Sequence, residues 1–339
     1  MTIEDLEKEL KAKKLHSIYL FYGEERFLLE TSVKKIKSLF GETIKGINYV
    51  IIDENNLNSL ISEIETPSFG YEKKLIICKN SGLLKKEGKR KNTELTKFKE
   101  KLNDYIQKNI DIINETIILV IIEEDLQKQE LVTTIEKNGV CVKFDILKPI
   151  QLENRIKAIC NGYKVNIDNV TLKYFIECCG TNMQELINEI RKLIEYAGEN
   201  GTIHKEDVDK LCIKKLESII FELTDNLGKK EIEKSLQVMK NLIYAKEPIQ
   251  KILITLYNHF KKLYFTILAQ KNNKDLVEVL NLKPNQTFLI NKYKMQAKYF
   301  KERELSKILQ ELIDLDYNYK IGLIDLQVGL ESILCAYCS

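Results

Sequence analysis

The stretch TPSFGYEKKLIICKN, Thr66–Asn80, combines a tight turn with a strand. Pro67 lacks a backbone N–H donor and Gly70 tolerates a positive φ, so the chain is expected to bend here. Leu75–Cys78 is an apolar run typical of a strand that is buried on both faces. Phe69 lies in the turn and is expected on or near the surface. Its ring could pack back onto the protein's own core, or it could fill a pocket on a partner.

Similar apolar runs alternate with helical patterns from the N-terminus to Pro149. The other predicted strands are Ile18–Tyr22, Asn48–Asp53, Ile117–Ile122 and Val140–Phe144. The predicted helices cover residues 4–15, 23–40, 57–64, 98–113 and 126–138. Continuous apolar strands that alternate with helices predict a parallel sheet covered on both faces, so residues 1–148 are expected to form an α/β domain.

Strands are not expected after Pro149. Helices are predicted at 152–161, 169–178 and 183–196, with Asp168 as a cap and a short helical turn at 203–208, which gives a small helical module over 149–212. Residues 213–339 are expected to be helical throughout, at 216–227, 230–245, 248–271, 274–281, 285–299 and 303–338, with a break near Gly322. The aromatic residues Tyr257, Phe260, Tyr264 and Phe265 have helical spacing and are expected in the core rather than stacked on bases.

The turn after the first predicted strand is the place where a nucleotide-binding protein would hold phosphate. The pattern GxxxxGK[ST] needs a second Gly and a Lys there, whereas this chain has Gly23-Glu24-Glu25-Arg26. Two carboxylates at a helix N-terminus satisfy its positive end and would repel phosphate groups. We therefore expect no ATP site and no cofactor.

Glu123-Glu124-Asp125 follow an apolar strand and resemble the Mg²⁺-binding acidic motif of ATPases. Without a phosphate loop these groups are expected to face solvent, so no metal is assigned to them. Zinc is not expected either, because the eight cysteines include only one C-x-x-C pair, Cys335 and Cys338, and no His lies near it in sequence. Reduced thiols are expected.

Composition and charge favour a helix-rich soluble protein, with 44% hydrophobic and 30% charged residues. No GxSxG or HExxH motif and no Cys–His pairing occurs, so no catalytic residue is predicted. The N-terminus is charged and the longest apolar run, Ile117–Ile122, is too short for a bilayer, so a cytoplasmic protein with no membrane partner is expected.

The basic excess is confined to the last third of the chain. Basic and acidic residues number 25 and 25 in 1–148, 8 and 10 in 149–212, and 20 and 15 in 213–339. This distribution permits a supporting contact with DNA. The basic run Lys85–Lys91 is expected to be a solvated loop, since such runs more often face water than bind DNA.

Blocks spread over the whole chain resemble the delta subunit family of the bacterial DNA polymerase III clamp loader. They are SIYLFYGEERFLLE, PSFGYEKKLIIC, IILVIIEED with VKFDILKP, CGTNMQELINEIRKLIEY with IHKEDVDKL, LESIIFELTDNL, and LDYNYKIGLIDLQVGLESIL. The fourth is the most specific, because it is similar to the family's G-x-(D/N)-x-x-x-L-x-x-E-x-x-K-L helix and I-x-x-x-D-V step.

The resemblance implies an AAA+-like parallel-sheet domain without nucleotide (1–148), a helical lid domain (149–212) and a helical collar domain (213–339). Through the collar the chain would join other clamp-loader subunits in a hetero-oligomeric ring. The subunit would bind the sliding clamp and hold one of its interfaces open for loading onto primed DNA, while other subunits hydrolyse ATP.

The resemblance also implies that the clamp-binding residues are Pro67, Ser68, Phe69 and Gly70. The family often has Leu where this chain has Ser68. A fully buried Leu contributes about 1.5–3 kcal/mol, so Phe69 must carry more of the binding or Tyr71 must compensate.

Two alternatives remain open at this point. The chain could be an active AAA+ ATPase with an unrecognised nucleotide site, which requires ATP binding by the isolated protein. It could also be a DNA-binding helical protein, which predicts strongly salt-dependent binding by residues 213–339.

Overall fold

The computed structural model describes residues 1–84, 93–126 and 129–338, which divide into two compact units, Met1–Ile146 and Leu147–Ser339. The predicted loop Lys85–Lys91 lies outside the described residues. The division of the second unit at residue 212 into a lid and a collar stays a prediction.

The first unit alternates helices and strands. Its elements are α1 (Ile3–Lys11), β1 (Ile18–Tyr22), α2 (Arg26–Phe40), β2 (Tyr49–Ile52), α3 (Leu60–Glu65), β3 (Lys74–Lys79), α4 (Thr93–Lys108), α5 (Ile110–Thr116), β4 (Ile117–Glu123), α6 (Glu130–Asn138) and β5 (Val140–Lys143). The strands form a five-stranded sheet in the order β2-β3-β4-β1-β5, and all of its pairs are parallel. The predicted parallel sheet is therefore confirmed.

The centre of this sheet is its most apolar part. Every residue of β4 is buried, and Ile18 of β1 pairs with Leu119 while Leu75 of β3 pairs with Ile118. Helices must cover both faces of such a sheet, because its strands have no polar side to turn toward water. The core on one face includes residues of α3, α4 and α6, among them Leu60, Leu102 and Ile135.

Several predicted helices in the first unit differ in their bounds or make-up from those observed. The predicted helix 98–113 is two helices, α4 and α5, which meet at Asn109, where a non-helical φ of −120° interrupts the pattern. The predicted helix 57–64 begins with a 3₁₀ turn at Leu57–Ser59. The helix expected at 4–15 ends at Lys11.

The second unit is mainly helical. It contains α7 (Pro149–Gly162), β6 (Asn166–Ile167), α8 (Asn169–Cys179), α9 (Met183–Ala197), β7 (Thr202–Ile203), α10 (Lys205–Leu211), α11 (Leu216–Gly228), α12 (Ile232–Tyr244), α13 (Ile249–Lys271), α14 (Leu276–Val279), α15 (Leu289–Ala297), α16 (Glu302–Lys320) and α17 (Leu326–Cys338). The expectation that strands end at Pro149 was wrong in one detail, because β6 and β7 form a two-residue parallel pair. Propensity could not predict so short a pairing, since it depends on how α8 and α9 return the chain.

Several helices in this unit begin at capping residues that the sequence contains. As predicted, Asp168 caps α8: its carboxylate accepts a hydrogen bond from the amide of Val170 at 2.7 Å. The side chain of Asn182 caps α9 in the same way. The predicted helical break near Gly322 is confirmed, since α16 ends at Lys320 and α17 begins at Leu326. Of the predicted aromatic stripe, Phe260 is fully buried and the other three residues pack against the same core.

No described helix has the combination of length and apolar character that a membrane span requires.

Candidate functional site

The predicted binding segment Pro67–Gly70 lies in the connection from α3 to β3. Because the sheet is parallel, a connection that enters β3 lies at the edge where all strands begin, here called the amino edge. The turn after β1 lies at the opposite edge, where the strands end. The candidate partner site and the place where a nucleotide would be expected are therefore at opposite edges of the sheet.

Residues Ser68–Tyr71 form a closed turn. The amide of Tyr71 donates to the carbonyl oxygen of Ser68 at 3.3 Å, and the Ser68 hydroxyl donates to the carbonyl oxygen of Tyr71 at 2.8 Å. Gly70 has φ of +81°, the value that the third residue of a type II turn needs and that side chains rarely adopt. The sequence therefore fixes Phe69 at the tip of a turn whose ends are joined by two hydrogen bonds.

Phe69 points away from the fold. Its side chain is 93% exposed, the highest value among the large apolar residues of the described chain. The alternative that its ring packs onto the protein's own core is therefore excluded in this structure. A fully exposed aromatic ring on a closed turn is suited to filling a pocket on another molecule.

Lys74 braces the base of the segment. Its side chain is only 3% exposed, and its ammonium donates to the main-chain carbonyl of Glu63 at 2.9 Å and to the carboxylate of the same residue at 3.0 Å. The ammonium thus satisfies a carbonyl in the last turn of α3, where the helix dipole favours a cation. Thr66 closes the same helix end by donating its hydroxyl to Ser62. The two ends of the segment are tied together independently of Phe69.

Other exposed apolar side chains share the amino edge. Apart from Met1, the large exposed apolar residues in the described part of the first unit are Ile44, Ile47, Phe69 and Ile112, which we call the amino-edge apolar set. Ile44 and Ile47 lie in the loop before β2, and Ile112 lies in α5, the helix that leads into β4. Since β2, β3 and β4 are neighbours, these residues precede three adjacent strands.

A shallow groove of about 310 Å³ runs beside the turn at this edge. Tyr71, Phe40 and Leu39 line it together with polar residues of the loop before β2. Asn48 is fully buried and holds that loop in place. Its side chain accepts a hydrogen bond from the amide of Ile44 and donates one to the carbonyl oxygen of Glu42. Its own carbonyl oxygen accepts a hydrogen bond from the amide of Leu75. Tyr71, which sequence analysis named as a possible compensation for Ser68, is therefore part of the same surface.

The turn after β1 is closed by protein. The structure gives Gly23 a φ of +125°, and a Cβ added there would lie 2.3 Å from the carbonyl oxygen of Phe144. That oxygen accepts the amide of Glu25 at 2.9 Å, and the side chain of Arg26 pairs with Glu124 at 2.8 Å. The first donor at the start of α2 is thus used within the protein, which leaves little of the amide cradle that phosphate groups need.

Glu123 was expected to face solvent, but in the structure it does not. It is buried at the end of β4, where its Oε1 accepts the Ser81 hydroxyl at 2.8 Å and the Leu84 amide at 3.4 Å. A buried carboxylate needs such donors, and here they fix the chain after β3.

Burial raises the pKa of the adjacent Cys78 thiol to about 12, so this thiol is protonated at neutral pH and is a poor nucleophile.

Two family models match this chain. The model for DNA polymerase III, delta subunit, matches residues 19–145, and the model for the C-terminal domain of the same subunit matches residues 217–337. The chain belongs to the DNA polymerase III delta subunit family. The resemblance stated from the sequence is thereby confirmed.

Individual members of the family align over nearly the whole length. The chain is 26% identical to DNA polymerase III subunit delta of Bacillus subtilis (strain 168) over 334 residues, with 97% of this chain and 95% of the relative covered. It is 27% identical to the probable DNA polymerase III subunit delta of Aquifex aeolicus (strain VF5), with 88% and 85% covered. The solved structure of the Bacillus subtilis DNA clamp loader delta protein matches with a TM-score of 0.74 at 25% identity, covering 99% of both chains.

The roles of Pro67, Ser68, Phe69 and Gly70 in this delta-family chain stay predictions. Sequence reasoning missed Ile44, Ile47 and Ile112, which belong to no motif, and Ile112 lies far from the other two in sequence. Ile47 comes just before the predicted strand Asn48–Asp53, so its place at this edge was predictable, whereas Ile112 lay inside the predicted helix 98–113.

Proposed function

We propose that this chain is the clamp-binding subunit of a bacterial replicative clamp loader and that Phe69 is its anchor on the sliding clamp. Family membership supports the first part of this proposal. The observation that carries the second part is the 93% exposure of Phe69 on a turn that hydrogen bonds hold closed. A turn whose backbone is already held closed loses little backbone freedom on binding.

The binding energy is expected to be concentrated in Phe69. Aromatic residues that enter a pocket dominate many protein interfaces, while surrounding residues mainly exclude water. The other members of the amino-edge apolar set and Tyr71 are suited to that surrounding role. The main chain of Ser68–Tyr71 supplies the shape, and the Ser68 side chain supplies a turn hydrogen bond rather than apolar contact.

The clamp would open because this subunit prefers its open form. A ligand shifts a two-state equilibrium by its difference in affinity for the two states, and this requires no nucleotide on the ligand itself. ATP hydrolysis would belong to other subunits of the loader. The closed turn at Gly23 and the contact between Glu25 and Phe144 support this division of labour.

The helical second unit is proposed to join the ring of the loader. Exposed apolar residues on α16, on α17 and between them support such an assembly surface, since isolated monomers rarely keep so many. They are Ile313, Tyr317, Ile321, Leu323, Ile324 and Val328. Primed DNA would be a partner of the assembled loader, with the basic excess of residues 213–339 as a supporting contact.

The test is equilibrium binding of the purified chain to the sliding clamp of its own organism, with the wild type beside Phe69→Ala. Loss of a buried aromatic anchor is expected to weaken binding by about 2 kcal/mol or more, roughly thirtyfold. Val170→Ala is the matched control, because Val170 is also an exposed apolar residue but lies in the second unit, on α8.

Three outcomes separate the parts of the proposal. Tight binding that only Phe69→Ala weakens supports both the function and the anchor. Tight binding that the substitution does not weaken supports clamp binding but rejects Phe69 as the anchor. No binding by the wild type rejects clamp binding by the free chain. Because Phe69 makes no core contact, its substitution is expected to leave thermal stability unchanged, and this can be checked in the same samples.

A further inference from the structure

Three potential metal ligands from distant parts of the sequence converge in the second unit. They are Cys179 at the end of α8, Glu189 in α9 and Cys212 directly after α10. One ligand atom from each lies within 4.8 Å of the others, and the two thiols are within hydrogen-bonding range. We propose that these three residues form a binding site for a zinc-class divalent ion, independent of clamp binding.

The spacing is close to what such an ion needs. Tetrahedral Zn²⁺ with Zn–S near 2.3 Å and Zn–O near 2.1 Å places two sulfurs about 3.8 Å apart and a sulfur and an oxygen about 3.6 Å apart. Side-chain rotations that bring the ligands together by about 1 Å or less would reach this geometry. Thiolates select zinc-class ions over Mg²⁺ and Ca²⁺, which prefer oxygen ligands.

The carboxylate is held by groups that would orient a metal ligand. Oε2 of Glu189 accepts the amide of Ile213 at 2.8 Å and pairs with the ammonium of Lys192 at 2.7 Å. We assign the other oxygen, Oε1, to the ion. Lys192 also donates to the carbonyl oxygen of Leu211 at 3.1 Å. Residues 211 and 213, on both sides of Cys212, are therefore tied to α9, and this is the outer layer of bonds that fixes ligands in metal sites.

The charges balance when the ion is bound. Two thiolates and one carboxylate carry three negative charges, while a divalent ion and Lys192 carry three positive charges. Cys179 is 1% exposed and the side chain of Glu189 is 13% exposed, so unbalanced charge here would be costly. Binding breaks two S–H bonds and forms two metal–sulfur bonds, and the two protons go to solvent.

The half-buried position of Cys212 leaves room for water as the fourth ligand. The ion would then connect α8, α9 and the chain that leaves α10, and would stabilise this part of the second unit.

The test uses the full chain with Cys335 and Cys338 both changed to Ser, which removes the C-x-x-C pair as a competing site. The reduced, metal-free protein is titrated with Co²⁺, whose thiolate charge-transfer absorption reports sulfur ligation, and Zn²⁺ is then added as a competitor. We expect one equivalent of Co²⁺ to bind with this absorption, Zn²⁺ to displace it, and Mg²⁺ to have no effect. Zn²⁺ should also raise the unfolding temperature.

Two variants in the same background locate the site. Cys212→Ser should abolish the charge-transfer absorption, and Glu189→Gln, which keeps an oxygen for Ile213, should weaken Co²⁺ binding by about tenfold or more. Circular dichroism and the unfolding temperature without metal show whether each variant folds. The proposal is overturned if the background protein gives no thiolate absorption, or if Cys212→Ser retains it. It is equally overturned if Cys179 and Cys212 are found as a disulfide and the reduced chain binds no Co²⁺.

Discussion

The Ser68 side chain offers little apolar surface for contact with a partner but forms a hydrogen bond within its own turn. Where the family often has Leu, this chain has a hydroxyl that donates to the carbonyl oxygen of Tyr71 and helps to close the turn beneath Phe69. The sequence alone predicted lost apolar contact at this position. The structure adds the hydrogen bond that closes the turn. Under the proposed function, this bond compensates for the lost contact by holding Phe69 in place.

A pair of substitutions separates the two effects. Ser68→Ala removes only the hydrogen bond and is expected to weaken clamp binding by about 0.5–1.5 kcal/mol. Ser68→Leu also removes the bond but restores apolar surface, so it is expected to bind more tightly than Ser68→Ala by about 1 kcal/mol or more. Titration calorimetry of both variants with the clamp measures the difference. Equal affinities for Ala and Leu would mean that this side chain does not face the clamp.

Single residues mark where prediction from the sequence ends. The turn at Pro67 and Gly70 follows from backbone chemistry, so the surface position of Phe69 was predictable. The burial of Glu123 was not, because its donors come from Ser81 and Leu84, on a different strand connection. The cluster of Cys179, Glu189 and Cys212 was missed for a similar reason, since its members come from α8, from α9 and from the chain that follows α10.

At the scale of elements, the strands were predicted to within a residue or two because each is a continuous apolar run. Helix ends were predictable where a cap is present in the sequence, as at Asp168. The break between α4 and α5 carries no Pro or Gly, and so it escaped prediction. The pairing of β6 with β7 escaped because it depends on tertiary packing.

The connection between β1 and α2 yields a direct test of nucleotide binding. With Gly23 packed on Phe144 and the Glu25 amide already bonded, we expect labelled ATP with Mg²⁺ to bind the free chain more weakly than about 1 mM, that is, with less than about 4 kcal/mol. Fluorescence polarisation measures this, with a P-loop ATPase as the positive control. Sub-millimolar binding would revive the alternative of an active ATPase.

At the scale of the whole molecule, the two units have different kinds of core. The first depends on one sheet, whereas the second contains a buried polar network among its helices. His259 is 5% exposed, and its Nε2 lies 2.8 Å from Oε1 of Gln296 and 3.0 Å from Oγ1 of Thr224. Gln296 in turn donates to the carbonyl oxygen of Phe221. This network joins α11, α13 and α15.

The network predicts acid sensitivity of the second unit. Burial lowers the pKa of His259 from 6.5 to about 4. The hydrogen bond to Gln296 acts to raise this pKa, but its effect is smaller than that of burial. Above pH 6.5 both folded and unfolded chains keep this group neutral, so it contributes no pH dependence. Between pH 6.5 and 4 only the unfolded chain takes up the proton, and the free energy of unfolding should fall by about 3 kcal/mol over that interval.

Denaturant unfolding between pH 7 and 4.5 measures this loss, with His259→Gln as the comparison. The variant lacks the titrating group and should show a flatter pH profile, even if its stability at pH 7 is lower. Parallel profiles for the two proteins would show that His259 is not the source of the acid sensitivity.

The exposure of Phe69 has an evolutionary consequence. Its ring contributes nothing to the stability of the chain that bears it, so folding places no constraint on which residue occupies that position. Under the proposed function, natural selection acts there through the fit of this residue to the clamp. A lineage that changed its clamp could therefore change residue 69 in step, without any intermediate sequence that fails to fold. Residue 69 can therefore co-evolve with the clamp.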